Sequence, residues 1–210
     1  MLDTATQKSF AKRFALVRKL EKEKLLSSEE KACSDIRQAG KNSFFEYENS
    51  TYFVNDINRY EETSDDFRTL QGYFIYELTC TCIETGRTVY FEWEKDDELE
   101  IAMTVENLSF RDLSDDEGQP IDEDDLDQIA DDRDIIMAGK EQFIYEDDWA
   151  CVYHGQERQE KVYMYEFENK THTRFLTIEE WQGSGRDKYR IYISVPVDPD
   201  SLTLISRTDT

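Results

Sequence analysis

The sequence predicts a mainly β protein of the α+β class, in which two tandem antiparallel β-meander repeats pack as a sandwich or a barrel-like unit, preceded by N-terminal helices. Three observations support this prediction. Aromatic and β-branched runs alternate with turn residues from residue 41 onward, as is typical of strands. These runs recur in the same order on the two sides of an acidic segment. The 12 Tyr, 12 Phe and 3 Trp supply the large apolar side chains that a modest core needs.

Residues 1–40 are predicted to form amphipathic helices. Thr4 and Gln7 have the spacing of a capping box, which opens a helix that runs to about Leu26. A second, shorter helix follows and ends at Gly40, a typical residue after a helix C-terminus. The apolar residues of the first helix fall on one side of a helical wheel: Phe10, Phe14, Leu16, Val17, Leu20 and Leu25.

The first helix is a basic exception within an acidic chain. Residues 1–26 carry seven Lys or Arg and three Asp or Glu, which gives +4 and leaves −27 for residues 27–210. We expect Phe10, Phe14 and Val17 to dock on the protein's own β layers. A partner's groove or a helix pair is the second interpretation. Contact with an anionic membrane surface is the third, and the acidic remainder of the chain opposes it.

Residues 41–111 are assigned to the first β repeat. Tyr73–Cys82 and Val89–Trp93 have the composition of strands. Thr85-Gly86 lies between them and indicates a hairpin turn.

Residues 112–138 are predicted to be an acidic linker. Twelve of the 23 residues from 112 to 134 are Asp or Glu, and Gly118 and Pro120 lie among them. So dense a block of like charge buries too little apolar surface to order itself. We expect one exception, a helical turn around Leu126 and Ile129.

Residues 139–210 are assigned to the second β repeat, because four short segments of the first repeat have counterparts there in the same order. Order, spacing and residue type recur over about 65 residues per copy, which favours duplication over chance. The matched segments are Phe45–Glu48 with Phe143–Glu146, Tyr52–Val54 with Ala150–Val152, Phe74–Leu78 with Tyr163–Phe167, and Val89–Glu94 with Arg174–Glu179.

These same segments, together with Tyr189 to Val195 and the Pro196-Val197-Asp198-Pro199 that follows, resemble domain-of-unknown-function family 4178. The resemblance implies a bacterial, β-rich protein without an assigned catalytic site, encoded near membrane-stress proteins and polyamine-synthesis enzymes. It supplies no functional residues. This sequence departs from many members by its acidic insertion, its helical N-terminus, and Phe91-Glu92-Trp93 where a Trp-Leu pair is more usual.

No catalytic set is evident, and we predict a protein that is not an enzyme and has no cofactor or metal. Nucleophilic catalysis needs a nucleophile, a base and an orienting group together. His154 and His172 have no such neighbours in the sequence, so surface positions are expected for both. Cys80 and Cys82 share one face of a strand. Core packing is preferred for them over a zinc site completed by Cys151 and His154.

Tyr76, Glu77, Tyr165 and Glu166 form the candidate binding surface, because they occupy related positions in the two repeats. The two carboxylates are the first pair to examine for acid–base chemistry, which needs two carboxyl groups in a cleft. The preferred interpretation places them at outward strand positions that alternate with aromatic core residues.

The net charge of −23 at pH 7 restricts the partners. A chain this acidic is a poor ligand for phosphate backbones and anionic membranes. We therefore expect no nucleic acid and no stable membrane insertion, and peripheral membrane contact through the first helix is disfavoured. A protein partner is expected, and the charge favours a basic one. The four scattered cysteines and the lack of an unbroken apolar leader favour a cytoplasmic location.

The leading hypothesis is a non-enzymatic acidic protein-interaction module, whose link to bacterial membrane stress comes from the resemblance alone. One alternative is an acidic inhibitor, immunity or nucleic-acid-mimic protein that binds a basic partner. Mimicry needs regularly spaced carboxylates on a rigid face, whereas most of this charge falls in the predicted linker. The other alternative is a cation- or polyamine-binding protein, with polyamines suggested only by the family's surroundings.

Overall fold

The computed structural model describes residues 3–156, 158–183 and 188–207. These ranges contain three α-helices: α1 (Thr4–Leu20), α2 (Ser28–Ala32) and α3 (Leu126–Asp132). They also contain twelve strands: β1 (Phe44–Tyr47), β2 (Ser50–Thr63), β3 (Leu70–Cys82), β4 (Thr88–Lys95), β5 (Leu99–Leu108), β6 (Leu113–Ser114), β7 (Ile135–Ala138), β8 (Glu141–His154), β9 (Gln159–Asn169), β10 (Phe175–Gln182), β11 (Lys188–Pro196) and β12 (Thr203–Ser206). No helix of the described part is long and apolar enough to cross a membrane.

The strands follow one hydrogen-bonded order, β12-β1-β2-β3-β4-β5-β11-β10-β9-β8-β7-β6, and β2 pairs in addition with β8. That extra pairing joins the first and last of eight strands, so β2 to β5 and β8 to β11 form a closed antiparallel barrel. The prediction of a mainly β fold with N-terminal helices and a barrel-like unit is confirmed.

The same order of strand pairings occurs twice along the chain. β1 to β5 pair as a meander, and so do β7 to β11. The corresponding strands have similar lengths: β2 and β8 each have 14 residues, and β4 and β10 each have 8. Phe74–Leu78 lies in β3 and Tyr163–Phe167 lies in β9, its counterpart in this order.

One matched pair of sequence segments falls on different strands. Phe45–Glu48 belongs to β1 and its turn, whereas Phe143–Glu146 lies in β8, which takes the place of β2. The hairpin turns explain this difference. Glu48 and Asn49 have φ of 46° and 61°, the left-handed pair of a tight two-residue turn. In the second meander the turn comes earlier relative to the matched segment, at Gly139 with φ of 62°.

By its internal contacts the chain divides into two compact units, which are not the consecutive blocks of the predicted domain division. β2, β3 and β5 each contribute residues to both units. Unit 1 comprises the chain up to Asn58, Tyr76–Ile101 and the residues from Val197, and unit 2 comprises Arg59–Ile75 and Ala102–Pro196.

Aromatic side chains form much of the core of unit 1. The rings of Phe44 and Phe53 lie 4.9 Å apart. Phe91 is fully buried, and three further rings contact it nearly edge-on, those of Phe45, Tyr47 and Tyr52. Edge-to-face geometry is favourable because it places the positive ring edge against the negative ring face.

Aliphatic side chains dominate the main core of unit 2. Its buried members are Leu113, Ile121, Leu126, Ile129, Ile136, Phe143, Tyr165, Phe167, Leu176, Ile178, Ile191 and Ile193. A second cluster of unit 2 contains Tyr60, Cys151, Tyr153, Val162 and Met164.

Residues 112–138 are an ordered part of unit 2, and the prediction of a linker is wrong. They contain β6, α3 and β7, and Leu126, Ile129 and Ile136 are buried in the unit 2 core. The acidic side chains do not oppose this order, because some of them cap the backbone. Asp122 accepts a hydrogen bond from the N–H two residues later at 3.0 Å. The predicted helical turn around Leu126 and Ile129 is confirmed as α3.

Candidate functional site

Tyr76 and Glu77, the predicted pair of unit 1, lie on opposite faces of β3. Tyr76 is half-buried and stacks on Trp93 of β4, with ring centroids 4.1 Å apart. Glu77 is only 2% exposed, so the expectation of an outward carboxylate is wrong. Its Oε1 accepts a hydrogen bond from Asn58 Nδ2 at 3.1 Å. Hydrogen bonding makes this burial tolerable, since an unbonded buried carboxylate is very costly.

Tyr165 and Glu166, the predicted pair of unit 2, lie in β9. Tyr165 is buried in the main core and donates its hydroxyl to Asp127 Oδ1 of α3 at 2.8 Å. Burial and this hydrogen bond raise the pKa of Tyr165. Glu166 is half-buried. Glu77 and Tyr165 are therefore interior residues, and the four residues do not all face solvent as a binding surface requires.

The cysteines of the strands are core residues. Cys80, Cys82 and Cys151 are buried, and burial raises the pKa of the Cys80 and Cys151 thiols. A raised pKa disfavours the thiolate that binds metals. The described residues contain no group of three or more His, Cys, Asp or Glu placed to hold a metal ion.

The two histidines have different environments. His172 is exposed at a turn, as expected, with Nδ1 2.5 Å from Glu168 Oε2. His154 is half-buried in unit 2, with Nε2 2.9 Å from Glu61 Oε2. The expectation of a surface position is wrong for His154, because the pairing of β2 with β8 covers it.

A buried carboxylate network in unit 2 was not anticipated from the sequence. Glu179 of β10 is 0% exposed. Its Oε1 accepts hydrogen bonds from Tyr60 Oη at 3.1 Å and from Arg190 Nη1 at 3.1 Å. Its Oε2 accepts one from Trp181 Nε1 at 2.8 Å. Glu179 and Arg190 are directly opposite on β10 and β11.

This network lies in the interior of unit 2 and is not placed for catalysis. Both oxygens of Glu179 accept hydrogen bonds, and the carboxylate has no solvent-exposed surface through which a substrate could reach it. A general base must lie within hydrogen-bond reach of the substrate. The sequence did contain one relevant signal: Glu179 and Arg190 are opposite charges on neighbouring strands, at positions that a hairpin register can pair.

α1 packs on unit 1 through only part of its predicted apolar side, the part that carries Leu16 and Leu20. Leu16 is buried against Phe44, Phe53, Ile83 and Ile205. Two cations of the helix also bond to unit 1: the Nε of Arg13 donates to the backbone oxygen of Ile83 at 2.7 Å, and Nζ of Lys19 donates to Oδ1 of Asn42 at 2.6 Å. Asp3, not Thr4, caps the helix, and α1 ends at Leu20 instead of Leu26.

The opposite, solvent-exposed side of the helix is here named the outer face of α1, and it consists of Phe10, Phe14 and Val17. These side chains are 61%, 49% and 39% exposed, so the expectation that they dock on the β layers is wrong. The rings of Phe10 and Phe14 are stacked with centroids 6.3 Å apart. The guanidinium of Arg18 lies 4.6 Å from the centroid of the Phe14 ring.

Close packing at Gly86 fixes this orientation of α1. Gly86 has φ of 75°, and a Cβ atom there would lie 2.9 Å from Ser9 Oγ and 3.0 Å from Arg13 Cδ. The helix can therefore approach this turn only through small or flexible side chains. The outer face lies about 100 to 160° around the helix from Leu16, so Phe10 and Phe14 cannot reach the strands.

Most of the chain matches the model of one known protein family. Residues 40–199 match the family model described as Domain of unknown function (DUF4178). The chain belongs to this family. No curated protein and no solved structure matches it.

Some of the features described above lie within the residues that match DUF4178, and others lie before them. The match covers the Glu179 network, the unit 2 core and the acidic residues from 112 to 138. α1 and its outer face precede the matched residues. The outer face of α1 therefore belongs to a segment that this chain has in addition to its DUF4178 region.

Proposed function

We propose that this DUF4178 protein is a non-enzymatic, cytoplasmic protein-interaction module that contacts its partner through the outer face of α1. One observation carries the proposal: Phe10, Phe14 and Val17 are exposed on a helix that is anchored to unit 1 by its other side. Following the resemblance noted above, the partner belongs to a bacterial membrane-stress system.

The energetics of the outer face support this role. Burying one exposed Phe side chain contributes roughly 1.5–3 kcal/mol. The three residues follow the i, i+4, i+7 spacing with which helices enter hydrophobic grooves. Because α1 is already folded and attached to unit 1, a partner does not have to order it on binding, which lowers the entropic cost of association.

A pull-down with the full chain from its bacterial host tests the proposal. The variant Phe10→Ser/Phe14→Ser is compared with a matched control, Val105→Ser/Ile144→Ser, which changes two exposed apolar residues of unit 2. We expect one protein to be recovered with wild type and control and at least tenfold less with the α1 variant. Equal recovery with all three proteins contradicts the proposal, as does turnover of a small molecule without any protein partner.

A second candidate function is the acidic inhibitor or mimic of a basic protein. The observation that favours it is the order of residues 112–138, whose carboxylates are held by caps and by packing of Leu126 and Ile129. Asp124→Asn/Asp131→Asn would then weaken binding to a basic protein, and rising salt would weaken it steeply. Binding that depends on Phe14 and not on these carboxylates favours the interaction module.

A further inference from the structure

We propose that the outer face of α1 binds an acidic amphipathic helix of a partner protein. This inference rests on the proposed function and names the chemistry of the partner. It follows from the shape of the exposed side of α1 and from the distribution of charge along the helix.

The shape suits a helix. From Phe10 to Val17 the outer face of α1 is about 10 Å long, which corresponds to two turns of α-helix. Ala11 and Ala15 are exposed beside it, so a second helix can approach α1 closely at these two positions. Helices pack at interaxial distances of about 8–10 Å when small residues allow close approach.

The charge suits an acidic partner. Between Thr4 and Leu20 the helix has five Lys or Arg and no Asp or Glu. Arg13 and Lys19 bond to unit 1, whereas Lys8, Lys12 and Arg18 are exposed. Around the helix from Phe14, Arg18 comes next, and Lys8 follows beyond Ala11 and Ala15, whereas Lys12 lies nearly opposite the outer face. A partner helix seated against Phe14 and Ala11 therefore meets Arg18 and, at its edge, Lys8, where its own carboxylates are favoured.

A membrane surface is a less suitable partner for the outer face of α1. An anionic bilayer is an extended surface that also faces the rest of the molecule, and residues 27–210 carry −27. Anionic lipids repel such charges wherever they come within a Debye length, about 8 Å at physiological salt. A partner helix, in contrast, needs to contact only α1, whose charge between Thr4 and Leu20 is +5.

A second copy of the chain is also less suitable. Pairing of α1 with another α1 brings two helices that each carry +5 side by side. It also brings together two chains of −23 each. Both juxtapositions are repulsive.

Photo-crosslinking in the bacterial host tests the inference with the full chain. Phe14→benzoylphenylalanine places the reactive group on the outer face, and Ile144→benzoylphenylalanine is the control at another exposed apolar position. We expect Phe14 to crosslink a protein at least tenfold more than Ile144 does. The crosslinked segment is expected to have apolar residues at i, i+3 or i+4, and i+7, with Asp or Glu flanking them.

A synthetic peptide of that segment then tests the charge. Lys8→Glu/Arg18→Glu is expected to weaken its binding to the full chain at least tenfold, and Glu→Lys changes in the peptide are expected to restore most of that loss. Crosslinks to lipid, to a second copy of the chain, or to a segment without this acidic helical pattern overturn the inference. A crosslinked protein of the wrong pattern leaves the proposed function standing, whereas the absence of any protein crosslink above the control overturns both.

Discussion

Removal of Arg190 tests whether the buried carboxylate of Glu179 is stabilised by its ion pair. Arg190→Met keeps an unbranched side chain and deletes the guanidinium, whose Nη1 lies 3.1 Å from Glu179 Oε1. At an effective dielectric constant of about 20 the lost Coulomb attraction is about 5 kcal/mol. Breaking a buried pair on one side typically costs about 3–5 kcal/mol, because the other charge stays buried.

We expect the lower end of that range, about 3 kcal/mol. The hydrogen bonds from Tyr60 and Trp181 to Glu179 remain, and the Arg190 side chain is 21% exposed. Urea unfolding, followed by circular dichroism and tryptophan fluorescence, measures the change in the free energy of unfolding. Arg158→Met is the control, since the Arg158 side chain is 62% exposed and its loss is expected to cost less than about 1 kcal/mol.

The double variant Glu179→Leu/Arg190→Met separates the contribution of the ion pair to the free energy of unfolding from the contribution of side-chain packing. Replacing both charges with apolar groups removes the uncompensated carboxylate, so the double variant is expected to be at least about 1 kcal/mol more stable than Arg190→Met alone. The reasoning is refuted if Arg190→Met costs less than about 1 kcal/mol or if the two substitutions are simply additive.

Three further predictions concern unit 1. Leu16→Ala is expected to cost about 2 kcal/mol of unfolding free energy, whereas Phe14→Ala changes it by less than about 0.5 kcal/mol; the reverse order in urea unfolding would show that the helix docks by its other face. Gly86→Val is expected to cost about 1–3 kcal/mol, because of its φ and the contact with Ser9, and a neutral result would contradict the close approach of α1. Burial, and then Glu100 and Asp96, raise the pKa of Glu94 above its ordinary value of 4.5. The folded protein therefore holds this proton more tightly, and the stability present below pH 4.5 declines as the pH rises through the folded-state pKa. Glu94→Gln is expected to stabilise the protein at pH 7 by less than about 1 kcal/mol, since solvent screens a partly exposed group; this gain is expected to vanish at pH 4, and an equal gain at both pH values would contradict it.

The strands could be predicted because the residue types within each short segment favour extended backbone. Tyr73–Cys82 and Val89–Trp93 fall within β3 and β4, where β-branched and aromatic residues favour extended backbone. The orientation of α1 could not be predicted in the same way. Leu16 and the outer face belong to one broad apolar arc, and tertiary contacts select which part of it is buried: the close approach at Gly86 and the hydrogen bonds of Arg13 and Lys19.

The remaining differences arise from long-range packing. The average composition of residues 112–134 conceals Leu126 and Ile129, which are spaced for burial and pack in the unit 2 core together with Leu113 and Ile121. The Glu179 network depends on the register of β10 with β11 and of β2 with β8. Register is set by turns and by the whole core, so composition and short-range pattern do not reveal it.

Hydrogen–deuterium exchange of the full chain, with and without the protein recovered by pull-down, tests the central claim most directly. A helix covered by a partner opens less often, so its amides exchange more slowly. The account predicts slower exchange in Thr4–Leu20, little change in β9 and β10, and loss of the effect in Phe10→Ser/Phe14→Ser. Unchanged exchange in Thr4–Leu20, with slowing elsewhere in the chain, would contradict it.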